Sequence, residues 1–286
     1  MILFDFSQVV VGAALEYHAR TKELIDVPLL RHISLNNTLS LKDKLRKYSD
    51  EIVLCLDGRN YWRKKIFPYY KQNRKKSQEK QTFDWKTFHE SFNIIKQEFI
   101  ENLPYKVIEV EGAEADDIIA VLCTIFGNQR DVVVVSSDKD LLQIQMNLAS
   151  HVKQYSPFHK KFLQSDHNSY NLFEHVVKGD PGDGIPNILS DDDVFLCESK
   201  RSRPIRSSQI EAWSKFGLDN PEGFCNDLVE LEKFRRNRTL IDLRMIPKDV
   251  VDVIASTYQD IKPHADNTFN YLVKHKLRKI LERGGF

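Results

Sequence analysis

An α/β domain with a central, mostly parallel sheet flanked by helices, followed by a mainly helical C-terminal domain, is the fold this chain predicts. Three observations carry that expectation. Short, nearly continuous apolar runs recur at 1–6 (MILFDF), 51–57 (EIVLCLD), 105–110 (YKVIEV) and 131–136 (DVVVVS). Strands buried on both faces, as in a parallel sheet, have this pattern. Helical stretches separate the runs, at roughly 38–48, 85–102 and 113–126, and such strand–helix alternation builds parallel sheets. From about residue 156 the pattern turns to helices and polar loops, and roughly the last 70 residues read as mainly helical. The expected division is an N-terminal α/β domain over 1–155 and a helical domain over 156–286.

Each run carries a further signal. The first holds Asp5 near its end and passes into SQVVVGAAL, so the N-terminus reads as strand then helix. It has no basic lead and does not read as a signal peptide. The second run ends at Asp57. The third precedes EGAEADDIIAVLCTIF, a helix opening near Ala113, in which Ile118, Ile119, Leu122, Ile125 and Phe126 form a core-facing stripe. The fourth leads into SSDKDLL, a tight turn entering another helix. In open sheets of this type, ligands bind beyond the carboxyl ends of the strands. Asp5 and Asp57 lie at such ends, and Asp138 follows another by two residues.

The length of 286 residues suits one large domain or two modest ones. With 41% hydrophobic and 29% charged residues the chain reads as soluble and globular, and no run approaches the ~18 apolar residues of a membrane span. The net charge of +1 hides local imbalance between acidic and basic segments. The four cysteines form no CxxC pair, which speaks against zinc and redox motifs. Cys55 and Cys123 lie in apolar runs and are expected in the core, in a reducing cytoplasm.

Nine acids stand where strand ends, helix starts and turns present them: Asp5, Asp57, Glu114, Asp116, Asp117, Asp138, Asp140, Asp180 and Asp183. Like charges repel, so a converging set is stable only around a cation. Oxygen ligands favour hard divalent ions, Mg²⁺ foremost where phosphates are handled. Glu114, Asp116 and Asp117 fill the first turn of one helix. Dipole complementation, worth roughly 0.3–1 kcal/mol per charge, needs only one or two of them. Helix capping would use one of Asp138 and Asp140 and leave the other. Asp180 and Asp183, in GDPGDG, read equally well as turn residues. Jointly these segments point to a divalent-cation site, and a pair of ions suits phosphodiester hydrolysis.

Segment 59–80 holds Arg59, Arg63, Lys64, Lys65, Lys71, Arg74, Lys75, Lys76 and Lys80 against one acid, Glu79. Pro68 interrupts any single helix there. A charge run is ordinarily a solvated helix face, but here Tyr61, Trp62, Phe67, Tyr69 and Tyr70 interleave. Cations neutralise phosphates, and exposed aromatic rings stack unpaired bases. The segment follows the strand ending in Asp57, so it would form a cationic entrance beside the acids. A second basic stretch, ESKRSRPIRSS at 198–208, reads either as a duplex contact or as a solvated loop. The terminal ILERGGF reads either as a partner-binding tail or as a frayed end.

Taken in order, DFS at 5–7, LCLDG at 54–58, YKQNR at 70–74, EGAEADD at 111–117, SSDKD at 136–140 and GDPGDGIPN at 179–187 resemble the flap endonuclease and 5′→3′ exonuclease family. YWRKKIFPYYKQNRKK, VKQYSPFHKKF and LIDLRMIP narrow the likeness to the ribonuclease H group of T-even phages. The resemblance spans nearly the whole chain. It implies a resolvase-like (PIN-like) domain and a helical DNA-binding domain with a helix–two-turn–helix-like motif. It also implies a metal-dependent nuclease that removes RNA primers from lagging-strand fragments and trims 5′ flaps.

By the same resemblance, a first metal group falls on Asp5, Asp57, Glu114, Asp116 and Asp138. A second falls on Asp140, Asp180 and Asp183, with Asp117 nearby. The ions would be two Mg²⁺, with Mn²⁺ as a substitute. Lys71 and Arg74 match the residues that steer the scissile phosphate, segment 59–80 matches the arch that threads a 5′ end, and GDPGDGIPN opens the motif that holds the duplex backbone. The chain departs from the family after that point. ILSDDDVFLCESKRSR, with Asp191, Asp192 and Asp193, replaces the usual glycine-rich second turn. The resemblance therefore carries over no K⁺ site, and duplex contact would fall to Lys200, Arg201, Arg203 and Arg206.

The expected function is a Mg²⁺-dependent 5′ nuclease, monomeric and cytoplasmic, acting on RNA·DNA hybrids and nicked, flap or forked DNA. Family likeness adds a single-stranded-DNA-binding protein and a sliding clamp as partners. Two other classes compete. An aspartate-nucleophile phosphatase would start from Asp5, but it wants a second acid two residues on, where Ser7 stands. A non-catalytic binder of branched DNA would have to tolerate nine acids that repel its ligand.

Overall fold

In the computed structural model, which describes residues 1–165 and 171–284, the chain runs β1 (Ile2–Asp5), α1 (Phe6–Thr21), α2 (Val27–Leu45), β2 (Ile52–Leu56), α3 (Trp62–Ile66), α4 (Gln72–Glu79), α5 (Trp85–Asn102), β3 (Lys106–Glu109), α6 (Ala115–Phe126), β4 (Val133–Val135), α7 (Leu142–Asn147), β5 (Lys153–Ser156), β6 (Lys161–Leu163), α8 (Leu172–Lys178), α9 (Ser207–Ser214), α10 (Leu228–Ile241), α11 (Lys248–Asp260), α12 (Thr268–Lys274) and α13 (Arg278–Arg283). Among the described residues these strands make one six-stranded sheet in the order β3-β2-β1-β4-β5-β6. Its pairs are parallel except β5–β6, a terminal hairpin. The apolar runs at 1–6, 51–57 and 131–136 form β1, β2 and β4, buried along their whole length. The chain proceeds from β1 through β2 to β3 on one side, then crosses to β4 on the other. The carboxyl ends of β1 and β4 therefore flank the point where strand order reverses, the place where such sheets open a crevice.

Three elements exceed the sequence expectation. Helix α2 begins well before residue 38, because Asp26 caps it by accepting the Leu29 amide and Pro28 sits in its first turn. Its buried Leu30, Leu35 and Leu39 continue through Asn36 and Asn37, which mask the helical period. Strands β5 and β6 carry too many polar residues to announce themselves. Gln154, in the middle of β5, is nonetheless buried.

By contact density the chain divides into two units whose borders do not follow a cut near residue 155. One comprises Met1–Arg59, Thr82–Ser165 and Lys248–Phe286; the other comprises Asn60–Gln81 and Asp166–Pro247. In the first, Phe4, Phe6, Leu54, Phe88 and Phe99 lie in the core beneath the sheet. The last helices return to this unit. The Tyr258 hydroxyl donates to Glu51 at 2.6 Å, and Lys106 Nζ donates to the Tyr258 carbonyl at 2.8 Å. Arg31 forks onto Glu98 with two 2.7 Å bonds, and the Tyr271 hydroxyl joins the same carboxylate at 2.8 Å. Ile280 is buried and Arg283 pairs with Asp43, so residues 280–283 are docked and not frayed. Gly285 and Phe286, the end of that tail, lie outside the described residues.

In the second unit, Phe173, Phe224 and Phe234 pack edge to face or tilted. Asn237, buried on α10, donates to the carbonyls of Val176 and Pro186 at 3.1 and 2.8 Å and so ties α10 to α8 and the turn beyond it. Among the described residues no helix is long and apolar enough to cross a membrane.

Candidate active site

In the sheet unit the predicted acids gather at the strand ends. Asp5 closes β1 and caps α1, its Oδ1 accepting the Gln8 amide at 3.3 Å. It is buried, 7% exposed. Burial first, then the charge of Asp57 and, more weakly, Asp138, push its carboxyl up to about 7, although the Ser136 hydroxyl and the Gln8 amide pull the other way. Three carboxylates from β1, β2 and the β4 exit thus act on one another. Asp116 belongs to the same field. The Cys55 thiol is pushed up by burial, then by Asp5, with Cys123 and Asp116 adding to it.

Asp57 Oδ1 accepts the Ala115 amide at 3.0 Å, which fastens the end of β2 to the start of α6. Gly58 makes that approach possible. A Cβ there would lie 2.0 Å from the Val110 carbonyl oxygen, and the Gly58 amide donates to the Ala113 carbonyl at 2.9 Å. Glu114 is buried at the helix start, and fully buried Asp117 accepts the Glu114 amide on Oδ2 at 3.0 Å. Asp117 therefore supports the start of α6. Past β4, Asp138 Oδ1 accepts the Asp140 amide at 2.9 Å. An oxygen-only set of this kind, with a carboxyl driven toward protonation by burial and then by its neighbours, fits a hard divalent cation.

The second unit organises the basic segment differently from the expectation of exposed stacking platforms. Trp62, Phe67 and Tyr70 are buried, while Tyr61 is half-buried and Tyr69 exposed. The Arg236 guanidinium lies over the Phe67 ring, 4.4 Å from its centroid. Burial of aromatic area outweighs any gain from leaving these rings in water. Arg63 is buried as well, its Nε donating to the Leu240 carbonyl at 2.8 Å, so it faces its own fold. Lys64, Lys65, Lys75 and Lys76 are exposed, as is Arg59 in the sheet unit. Lys76 Nζ reaches the Leu196 carbonyl at 2.6 Å.

Lys71 and Arg74 converge on Asp183. Lys71 Nζ lies 3.5 Å from Asp183 Oδ2, Arg74 pairs with Oδ1, and the Tyr70 hydroxyl donates to Oδ2 at 2.8 Å. Burial alone would raise the Asp183 carboxyl, but Lys71, Arg74 and Tyr70 outweigh it and hold the group below its usual range. Asp180, three residues before, is pushed up by burial and by Asp183, against the pull of His175 and two turn amides. Farther on, Lys200 pairs with Asp191 and Asp193 at 3.3 and 2.6 Å, and Arg236 pairs with Asp192. Arg201, Arg203 and Arg206 are exposed, with the Arg203 backbone tied to Asn187 and Ser190 at 2.8 Å each.

Residues 19–172 match the profile of the 5′-3′ exonuclease N-terminal resolvase-like domain, and 167–284 match that of the T4 RNase H C-terminal domain. The chain belongs to the 5′-3′ exonuclease family. Ribonuclease H of Enterobacteria phage T4 is 31% identical over 293 residues, 97% of this chain and 92% of that protein. The flap endonuclease of Escherichia phage T5 is 25% identical over 225 residues, 73% of this chain and 74% of that protein. Among solved structures, the T5 5′-exonuclease with bound zinc ions superposes with a TM-score of 0.64 at 18% identity, over 91% of this chain and 98% of that one. The T5 flap endonuclease in complex with DNA and metal ions gives 0.63 at 17%, with the same coverage. These superpositions show the fold, a mostly parallel resolvase-like sheet with a helical C-terminal part.

Within this 5′ nuclease, four residues that hold the acids escaped the sequence reading. Ser136 Oγ lies 3.0 Å from Asp5 Oδ2 and 3.1 Å from Gln8 Oε1, and accepts the Asp138 amide at 3.1 Å. Gln8 Oε1 accepts the Ser137 amide at 2.6 Å. Gln154 donates to the Ser136 carbonyl at 3.1 Å and to that of Asp138. Ser136 and Ser137 stand in SSDKD, where charge marks only the aspartates and the lysine. Gln8 and Gln154 carry no local signal, since their partners lie 128 and 18 residues away.

Proposed function

We propose that the protein is a Mg²⁺-dependent 5′→3′ exonuclease and flap endonuclease that hydrolyses phosphodiesters of RNA·DNA and DNA·DNA duplexes and removes RNA primers during DNA replication. The observation that carries this reading is the convergence of Asp5, Asp57 and Asp138 at the strand ends, where burial first and then the neighbouring carboxylates push Asp5 up to about 7. Such a set is costly unless it holds a cation.

Asp5, Asp57, Glu114, Asp116 and Asp138 are assigned to a first ion, with Asp140, Asp180 and Asp183 serving a second as the family likeness implies. When bound, such ions lower the pKa of an attacking water and balance charge on the phosphate. The remaining work belongs to the chain. Ser136 and Gln8 fix the Asp5 carboxylate, Ala115 orients Asp57, and Asp117 stabilises the start of α6 instead of serving as a ligand. Lys71 and Arg74, already paired to a carboxylate, exchange that anion for the scissile phosphate. The exposed lysines of the arch draw in a 5′ end by releasing counterions. A site that reads the backbone does not need the 2′-OH, which accommodates both RNA and DNA strands. Arg201, Arg203 and Arg206 are the duplex contacts in this reading, in the cytoplasm, with a single-stranded-DNA-binding protein and a clamp as partners.

The test is product mapping on 5′-labelled RNA·DNA, nicked DNA and flap DNA, with Mg²⁺ or EDTA. Short products from the 5′ end in Mg²⁺ and none in EDTA are expected. Cleavage that persists in EDTA, or products from the 3′ end, would overturn the reading.

A further inference from the structure

Lys71 is the cap residue of α4, and its φ of +59° is a left-handed conformation that side-chain-bearing residues seldom adopt. What holds it there is the turn after α8. The Lys71 amide donates to the Asp183 carbonyl at 2.7 Å, and Arg74 Nε donates to the Gly182 carbonyl at 3.2 Å. Between these two contacts stands Asn73. Its Nδ2 donates to the Pro181 carbonyl at 2.6 Å. Its carboxamide is seated against Gly184, where a Cβ would come within 2.9 Å of Asn73 Oδ1 and where φ is +72°. That Oδ1 is buried and accepts no hydrogen bond among the described residues, a cost that an ordinary surface residue of a short basic helix would not carry.

We propose that Asn73 is a positioning residue for the phosphate-steering pair: its carboxamide pins the first turn of α4 to the Pro181–Gly184 turn and so sets Lys71 and Arg74 in one orientation before substrate arrives. Gly184 is the matching half, the residue whose missing side chain admits the carboxamide. The inference rests on the reading that Lys71 and Arg74 meet the phosphate.

The experiment measures single-turnover cleavage and equilibrium binding of a 5′-flap DNA, together with Tm, for Asn73→Ala and Asn73→Asp, alone and combined with Lys71→Ala. Misplacing a steering group by about an ångström slows chemistry by about ten- to a hundredfold, so Asn73→Ala is expected to lose about tenfold or more in rate while flap affinity stays within about threefold. Asn73→Asp keeps the shape but cannot donate to Pro181, and it should be as slow. In the Lys71→Ala background the same change should cost less than in the wild type, since only Arg74 is left to be misplaced and residues acting through one another are not additive. A full rate in both single variants, or a loss undiminished without Lys71, overturns the proposal. A wild-type protein that cuts no 5′ end removes the nuclease reading itself, and this inference with it.

Discussion

Asp5→Asn should stabilise the metal-free protein, and the gain should grow with pH. The folded carboxyl keeps its proton up to about 7, whereas the unfolded chain releases it near 3.8. Between those values the folded state binds more protons than the unfolded state, so stability falls as pH rises and the loss is complete above about 7. The gap corresponds to about 4 kcal/mol at pH 8 and about 2 kcal/mol at pH 5. Asparagine removes this penalty and keeps the geometry: it caps a helix as well as aspartate, its Oδ1 still accepts the Gln8 amide, and its Nδ2 donates to Ser136 Oγ, whose hydroxyl then donates to Gln8 Oε1. The assay is urea unfolding in EDTA at pH 5 and pH 8 for both proteins. Added Mg²⁺ should then stabilise the wild type more than the variant, closing the gap by mass action. A variant less stable than wild type at pH 8 in EDTA, or a gain that does not change with pH, would refute the argument that burial and the neighbouring carboxylates disfavour the Asp5 charge in the fold.

Three further outcomes follow from the geometry. Asp138→Asn retains an acceptor for the Asp140 amide, so it should abolish cleavage while DNA affinity stays within a few fold of wild type; Mg²⁺-dependent turnover by a clean preparation would remove Asp138 from the metal site. The double change Lys71→Ala with Arg74→Ala should depress turnover and reduce the salt slope of binding by about 1–2; an unchanged rate and slope on flap DNA would count against contact with the phosphate. Gly58→Ala places a methyl group against the Val110 carbonyl and should cost about 2 kcal/mol or more of stability, read from denaturant midpoints; a wild-type midpoint would show that the β2 exit has room to spare.

Much of this was legible in the residue order, and what was not has physical reasons. β1, β2 and β4 announced themselves because burial on both faces leaves no polar position. α5 was found at its full length, since Asp84 caps it and Phe88, Ile95 and Phe99 keep its period. β5 escaped because Gln154 is spent on backbone carbonyls, a use no pattern of polarity reveals. The acids were found by charge alone, but the side chains that hold them were not. A serine or glutamine becomes informative only when its distant partner is known. The aromatic residues of the basic segment misled the reading for a related reason: Trp62 and Phe67 are expected as stacking surfaces, but packing puts them in the core, and Tyr69 stays exposed. The family profiles divide the chain near residues 167–172, while contacts divide it into interleaved segments. Inheritance and packing answer different questions.

That interleaving bears on how the protein is made. Glu51, Arg130 and Lys106 wait for Tyr258, and Arg31 and Glu98 wait for Tyr271. A ribosome has to deliver nearly the whole chain before the sheet unit meets its last helices. Until then a nascent chain carries the repelling carboxylates on an unfinished scaffold. A fragment that stops at residue 165 would stay in that state, which makes the C-terminal helices part of the fold that holds the acids, whatever else they serve.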